Sequence, residues 1–589
     1  MRSIVFLFAL VAVSALAAQS PQRTFIRINQ LGYVPVGPKV AVACSLDSIA
    51  IASFTLQDND GKTVFGPRKA VSAGRYGPCV ETHRLDFSRF TKTGTFTLVA
   101  GGIVSPAVHI GRATYDGAAD TLLHYMREQR AGFNPVIRDL VHQHDGFIVD
   151  DSSRVGTFIN VSGGWADASD YLQYVTTSAN ATFVMLMAYR DNPKSFSDHF
   201  DGHGLPGANG IPDILDEARH GIEWLLAMYP ADNDMFNQLG DDRDHTYWDL
   251  PWTDSADYGW GKGKERPVYP CTGKPQGLFK AKNRSDGFAS TAGKYASAFA
   301  IGSSVFAKRD PAFAKTLEAK ALAAYRLGRA KPGVCQTAPG RSPYFYEEDN
   351  WHDDMELGAA SLAASTGRRS FVLDALKDAD AEPVTPWMGQ DTAKHYQWYP
   401  WHNNGHYETW RRASPQEKTK LAAYYRKGLE AVVGRAQNGF KIGIPFIWCS
   451  NNLMASFATQ AYLYRRMTGD NRFREYEAAA TDWLLGANPW GVSMIIGLPR
   501  DGNFARDPHS VVAKELKYQL TGAMLDGPVY RSIYGNLRGI SLHDADEYAP
   551  FNTGFTVYHD DVGDYSTNEP IMDGTANLTY LFSALAARR

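Results

Sequence analysis

Asp120-Thr121-Leu122-Leu123-His124-Tyr125-Met126 is the first stretch of this chain with a helical period, and it divides the sequence in two. Upstream, from about residue 24 to 111, short β-type runs alternate with turns: Phe25-Ile26-Arg27-Ile28-Asn29, Val40-Ala41-Val42-Ala43-Cys44, Ser53-Phe54-Thr55-Leu56 and Gly94-Thr95-Phe96-Thr97-Leu98-Val99. Asp58-Asn59-Asp60-Gly61-Lys62 reads as a hairpin turn. Regular strand spacing without a helical period predicts a small immunoglobulin-like β-sandwich over residues 18–111. Downstream, over 112–589, the helical period returns at 179–188, 211–228, 292–306, 311–327, 356–365, 414–433, 452–468, 471–485 and 572–586. Such a run of helices, joined by long aromatic loops, predicts a mainly α toroid rather than a bundle. Loops of that length usually carry function.

The ends and the composition narrow the class. Met1-Arg2-Ser3 is a short basic start, Ile4 to Ala12 is apolar, and Ala15-Leu16-Ala17 offers small residues for cleavage. Residues 1–17 therefore read as a secretory signal peptide, so the mature chain is expected to be secreted or periplasmic. No Cys follows the cleavage point, so no lipid anchor is expected, and no later stretch suits a membrane span. A net charge of −3 gives no electrostatic argument for nucleic acid. A monomer is expected. Of the five Cys, Cys44 with Cys79 and Cys271 with Cys335 are candidate bridges that spacing alone leaves open. All 13 Trp lie at or after Trp165, and indole faces stack well on sugar rings.

Two acidic segments stand out. Gly163-Gly164-Trp165-Ala166-Asp167-Ala168-Ser169-Asp170-Tyr171-Leu172-Gln173-Tyr174 places two carboxylates three residues apart after a tight turn. On a helical first turn they would share a side and hold one water between them; the same spacing suits a helix N-cap. Asp560-Asp561-Val562-Gly563-Asp564-Tyr565-Ser566-Thr567-Asn568-Glu569 ends on a Glu before the last helix. A general acid must keep its proton near neutral pH, and Tyr565, Asp560, Asp561 and Asp564 are at hand to raise its pKa. A helix dipole would act the other way.

The chain resembles glycoside hydrolase family nine, the cellulase-type enzymes with an immunoglobulin-like N-terminal module. Phe25-Ile26-Arg27-Ile28-Asn29-Gln30-Leu31-Gly32-Tyr33-Val34-Pro35 is similar to that module's opening. Gly163 to Val175 resembles the family's Gly-Gly-Trp-Tyr-Asp-Ala-Gly-Asp segment, with Ala166 and Ser169 as departures. Gly210-Ile211-Pro212-Asp213-Ile214-Leu215-Asp216-Glu217-Ala218, Leu484-Leu485-Gly486-Ala487-Asn488-Pro489 and Asp564-Tyr565-Ser566-Thr567-Asn568-Glu569 match further family segments in order. The resemblance implies an (α/α)6 barrel and inverting, endoglucanase-like hydrolysis of β-1,4-glucans or related β-glycans. It implies Asp170 as general base, Asp167 as its helper, and Glu569 as general acid. His509 would bind sugar near the cleaved bond, with Trp165, Tyr565, Trp401 and Trp448 as further substrate contacts.

The departures define the alternatives. Asp507-Pro508-His509-Ser510-Val511 carries Val511 where relatives often have Arg, removing a charged fork. With the long 249–283 insertion, this keeps an exo-acting β-glucosidase or glucosaminidase in view. A non-catalytic glycan-binding protein is a third reading. The Cys that bind zinc in many relatives are replaced by Ala131 and Val141, so no structural zinc is expected there. Asp349, Asp353 and Asp354 form an acidic stretch suited to calcium. The acid/base chemistry itself calls for no cofactor. Trp252, Trp260, Trp398 and Trp410, with the polar run 402–408, are additional aromatic and polar candidates.

Overall fold

The computed structural model describes residues 23–246, 248–343, 345–389 and 399–587. The expected signal segment 1–17 and Trp398 lie outside them. The N-terminal region is a two-sheet sandwich. One sheet runs Thr24–Arg27, Val40–Ser45, Cys79–Asp86, Val71–Tyr76, and the other Thr63–Lys69, Ser53–Gln57, Gly94–Ala100, Ile103–Val104, with Val108–Ile110 on its edge. Alternate residues face inward, as a strand's period of two requires: Phe54 and Leu56, then Phe96, Leu98 and Ala100. Asp58 Oδ1 accepts the amides of Asp60 and Lys62 and closes the hairpin turn. Cys44–Cys79 ties neighbouring strands, Cys271–Cys335 ties two loops of the helical region, and Cys449 is free and buried.

Twelve helices of seven residues or more follow among the described residues, and they alternate between two rings. The outer members are Ala118–Glu128, Asp213–Ala227, Pro311–Ala330, Arg369–Ala381, Pro415–Arg435 and Arg474–Leu484. The inner members are Val175–Asp191, Ala289–Phe306, His352–Thr366, Asn404–Trp410, Ser450–Thr468 and Met572–Ala586. Each inner helix packs on the next, and Met572–Ala586 returns to Val175–Asp191, closing the ring. Sequence explains the split. Pro415–Arg435 buries a single stripe, Leu421, Ala422, Tyr425, Leu429 and Val432, whereas Val175–Asp191 is buried at every position from Val175 to Ala188. Starts follow local chemistry. Asp310 caps the helix at Pro311, and Ser414 with Glu417 forms a capping box. The fold is an (α/α)6 barrel behind an immunoglobulin-like sandwich. Asn29 Nδ2 donates to Asp482 at 2.7 Å, and Arg84 reaches the Gly439 carbonyl, locking one to the other.

Two barrel helices escaped the sequence reading. Asn404–Trp410 is one short turn-rich segment containing Gly405, and Arg369–Ala381 follows its predecessor after only two residues, Gly367 and Arg368. The reading of Asp167 and Asp170 as one helical turn is also corrected: that stretch is an irregular turn, and the helix begins at Val175.

Candidate active site

The turn at 163–174 is tied down from several sides. The Asp167 N–H donates to the Leu172 carbonyl at 2.9 Å, closing the turn on itself. Gln129 Nε2 donates to the Ala168 carbonyl at 2.8 Å. Buried Arg266, paired with both oxygens of Asp145 at 2.8 Å, also donates to the Tyr171 carbonyl and to Gln173. Both glycines have left-handed φ values (107° and 75°). A Cβ at Gly164 would strike the Trp224 ring at 2.6 Å, so the position demands Gly twice over.

The acid segment is held equally firmly. Asp526 N–H donates to the Glu569 carbonyl at 2.8 Å and His509 N–H to the Asn568 carbonyl at 3.0 Å. Met572 N–H donates to the Asp167 carbonyl at 3.0 Å, which joins the two motifs directly. Asp167, Asp170 and Glu569 consequently line one cavity, together with Tyr346, Trp401, Trp448, Asp526 and Asp573. The enclosed space is about 30 Å³, room for one or two waters.

The three carboxyls sit in different electrostatic settings. Asp167 is held by the Thr177 hydroxyl on one oxygen and by Tyr346 Oη–H at 2.9 Å on the other. Burial first, then Asp573 and Asp170, push it well above the usual carboxylate range. Asp170 Oδ2 meets His245 Nε2 at 3.0 Å, and its Oδ1 accepts the Leu172 N–H at 3.2 Å. Burial alone would lower the His245 pKa, but Asp170 and Asp244 outweigh it and raise it to about 10, so His245 is cationic. Glu569 is raised to about 7 by burial and by Asp170, against the pull of Ser169 and His245. Ser169 donates both its N–H, at 3.2 Å, and its hydroxyl to Glu569 Oε1. The Ser169 departure from the family motif thus places a hydroxyl on the candidate acid.

Asp560, Asp561 and Asp564 do other work than expected. They accept backbone amides at 506–507, 543–544 and 566–567 and so shape the loops around Glu569. Asp170, from the distant turn, is the carboxyl that raises Glu569.

The aromatic candidates separate. Trp448 Nε1–H donates to Asp526 at 2.7 Å, its ring lies 5.5 Å from Tyr565, and Tyr565 lies 6.1 Å from His509. His509 in turn contacts Trp248 at 4.3 Å. These four rings form one aromatic arc beside the cavity. Trp401 is buried and forms part of the cavity's wall. Trp165 is not a substrate contact: it is fully buried, donating to Glu217 at 2.8 Å beneath the helix Asp213–Ala227. A Cβ at Gly221 would lie 2.2 Å from its ring. Gly221→Ala is therefore expected to destabilise the fold by about 1–3 kcal/mol despite the better helix propensity of Ala, read by chemical denaturation. Val511 is buried at the start of Val511–Leu516, pointing no polar group at the cavity. Trp260 packs on Phe147, and Trp410 stacks near Tyr407 under Lys418. In the run 402–408, His406 pairs with Glu356 and Glu408 with Arg190, both structural contacts.

The calcium expectation is not met by geometry. Among the described residues no group of three or more His, Cys, Asp or Glu is arranged to hold a metal. Lys294 Nζ sits between Glu348 at 2.5 Å and Asp354 at 2.7 Å, supplying the positive charge itself. Asp353 accepts from Asn350, and Asp349 turns away to Arg284 at 2.7 Å.

Sequence reasoning missed His245, Tyr346, Asp526 and Asp573. His245 had a usable signal in Asp244-His245 beside an aromatic pair. Asp526 precedes Gly527-Pro528 and reads as an ordinary turn residue.

The family model for glycosyl hydrolase family 9 matches residues 115–582, and that for the cellulase N-terminal immunoglobulin-like domain matches 22–105. The chain belongs to glycosyl hydrolase family 9. Within the family it is 25% identical to endoglucanase C of Cellulomonas fimi over 95% of this chain and 52% of that protein, so it spans about half of that relative's length. It is also 25% identical to the xyloglucan-specific endo-β-1,4-glucanase of Bacteroides ovatus, over 95% of this chain and 94% of that one. A metagenome-derived family 9 endoglucanase structure superposes with a TM-score of 0.74 at 26% identity, covering 96% of this chain and 99% of the other. Among the described residues no helix is long and apolar enough to cross a membrane.

Proposed function

We propose that the chain is an inverting glycoside hydrolase of β-1,4-linked glucans or related β-glycans. Asp170 is the general base, Asp167 helps hold the attacking water, and Glu569 is the general acid. One observation carries the reading: Glu569, raised to about 7, and Asp170, hydrogen-bonded to a cationic His245, line the same water-sized cavity. Two carboxyls in unlike settings separate acid from base. In this scheme a water in the cavity gives its proton to Asp170 as it attacks the anomeric carbon from the face opposite the leaving group. Glu569 delivers its proton to the leaving oxygen, and the sugar is released with inverted configuration. His245 holds the Asp170 carboxyl in place through its Oδ2. The arc Trp448–Tyr565–His509–Trp248 offers faces and edges for sugar rings on either side. Export to an oxidising compartment accounts for the two disulfides.

The pH profile tests the acid assignment. Glu569 acts only when protonated, and its pKa in the fold is raised from 4.5 to about 7. Activity is therefore present below about pH 7 and lost as pH rises through it. The alkaline limb of kcat/KM should bend near pH 7 and then fall about tenfold per unit. A profile flat to pH 9 would remove Glu569 from the role.

A further inference from the structure

Among the described residues the Glu569 carboxyl accepts two hydrogen bonds, and both come from Ser169. The Ser169 N–H reaches Oε1 at 3.2 Å, and the Ser169 hydroxyl donates to the same oxygen. Among the described residues no donor reaches Oε2. A protonated carboxyl has a single O–H, and an oxygen already taking two donors is the less favourable place for it. Ser169 is itself held. The carbonyl of its predecessor Ala168 accepts from Gln129 Nε2 at 2.8 Å, and its successor is Asp170, whose Oδ1 accepts the Leu172 N–H at 3.2 Å. One residue therefore links the turn that carries the base to the side chain of the acid. The glycine of the family motif could offer the N–H but not the hydroxyl.

We propose that Ser169 is a positioning residue for the acid: its two donors occupy Oε1, keep the transferable proton on Oε2, and set the acid against the base's own turn. The inference rests on the hydrolase reading above and adds a residue that touches neither sugar nor water. In the acid step the Oε2 proton passes to the leaving oxygen, which keeps the electron pair of the cleaved C–O bond. The carboxylate left behind spreads its charge onto Oε1. Hydrogen bonds to a charged oxygen are about twice as strong as to a neutral one, so both Ser169 donors tighten as the proton leaves. They therefore stabilise the transition state more than the ground state. Asp170, His245, Asp526, Tyr125 and Tyr565 face Glu569 from the surrounding segments, and Asp167 and Asp573 line the same cavity. A change at Ser169 leaves all of these groups in the protein, so its effect on the acid can be read separately.

The test compares full-length wild type, Ser169→Ala and Ser169→Thr on cellotetraose and on a nitrophenyl cello-oligosaccharide, across pH. Ser169→Ala keeps the N–H and removes only the hydroxyl. On the acid side of the profile it should lose about tenfold in kcat/KM on cellotetraose and stay within about threefold on the nitrophenyl substrate. Its alkaline limb should move up by about one unit, because a donor to the ionised acid is gone. The deficit should therefore narrow as pH rises through the wild-type limb. Ser169→Thr, which restores a hydroxyl, should return the limb and stay within about threefold of wild type. A limb that stays put or moves down in Ser169→Ala, or an equal loss on both substrates at every pH, would overturn the proposal while leaving the hydrolase standing. Wild type inactive on both substrates would overturn both. If Ser169→Ala melts at assay temperature, the wild-type Ser169 amide decides. Its proton NMR signal should move downfield as pH rises through about 7 and stop titrating in Glu569→Gln; an amide indifferent to pH would sink the idea.

Discussion

Glu569→Gln should cost about 10²–10⁴-fold in kcat on an unactivated oligosaccharide. The loss should be far smaller on a nitrophenyl glycoside. The reason is the leaving group. A sugar alkoxide is a poor one and needs the proton that Glu569 keeps at neutral pH because it is buried beside Asp170. A nitrophenolate departs without help. The fold should survive, because Gln keeps the carbonyl oxygen that accepts from Ser169, and the backbone ties at Glu569 do not involve the side chain. Unchanged thermal unfolding with this selective loss marks an acid. A loss of equal size on both substrates would mean that Glu569 holds the site together rather than donating a proton.

Asp170→Asn should behave differently. The base is needed to activate water whatever the leaving group, so the loss, again about 10²–10⁴-fold, should appear on both substrates alike. Asn can still accept the Leu172 N–H, so the turn should hold, but it has no carboxylate for His245, whose pKa should drop from about 10. Titration of the His245 ring by NMR would read that change independently of turnover. Near-normal rates in this variant would remove Asp170 from the chemistry.

Much of this architecture was legible in the chain. Period-two burial in Ser53–Gln57 and Gly94–Ala100 and period-3.6 stripes such as that of Pro415–Arg435 are local properties, and they set the sandwich and the outer ring. Five of the six inner helices were read as well, 179–188 within Val175–Asp191 among them; Asn404–Trp410 is too short to show a period, and the outer Arg369–Ala381 is parted from its predecessor by only two residues. The site was legible only in part. Asp167, Asp170 and Glu569 stood in motifs, but what raises the Glu569 carboxyl is burial first and then a carboxyl nearly four hundred positions away, and no local pattern reports either. The acidic run 560–564 was the visible candidate and proved to bind backbone amides. Trp165 misled because an aromatic beside two glycines looks exposed, whereas here the glycines let the chain fold over a buried indole.

The central claim is that a water held by Asp170, on the face of the sugar opposite Glu569, attacks the anomeric carbon directly. Proton NMR of the first product, taken within the first minutes of hydrolysis of a β-linked tetramer before mutarotation equilibrates the anomers, tests it most directly. The account predicts that the newly formed reducing end appears as the α-anomer. First appearance of the β-anomer would mean a covalent or retaining route and would contradict it.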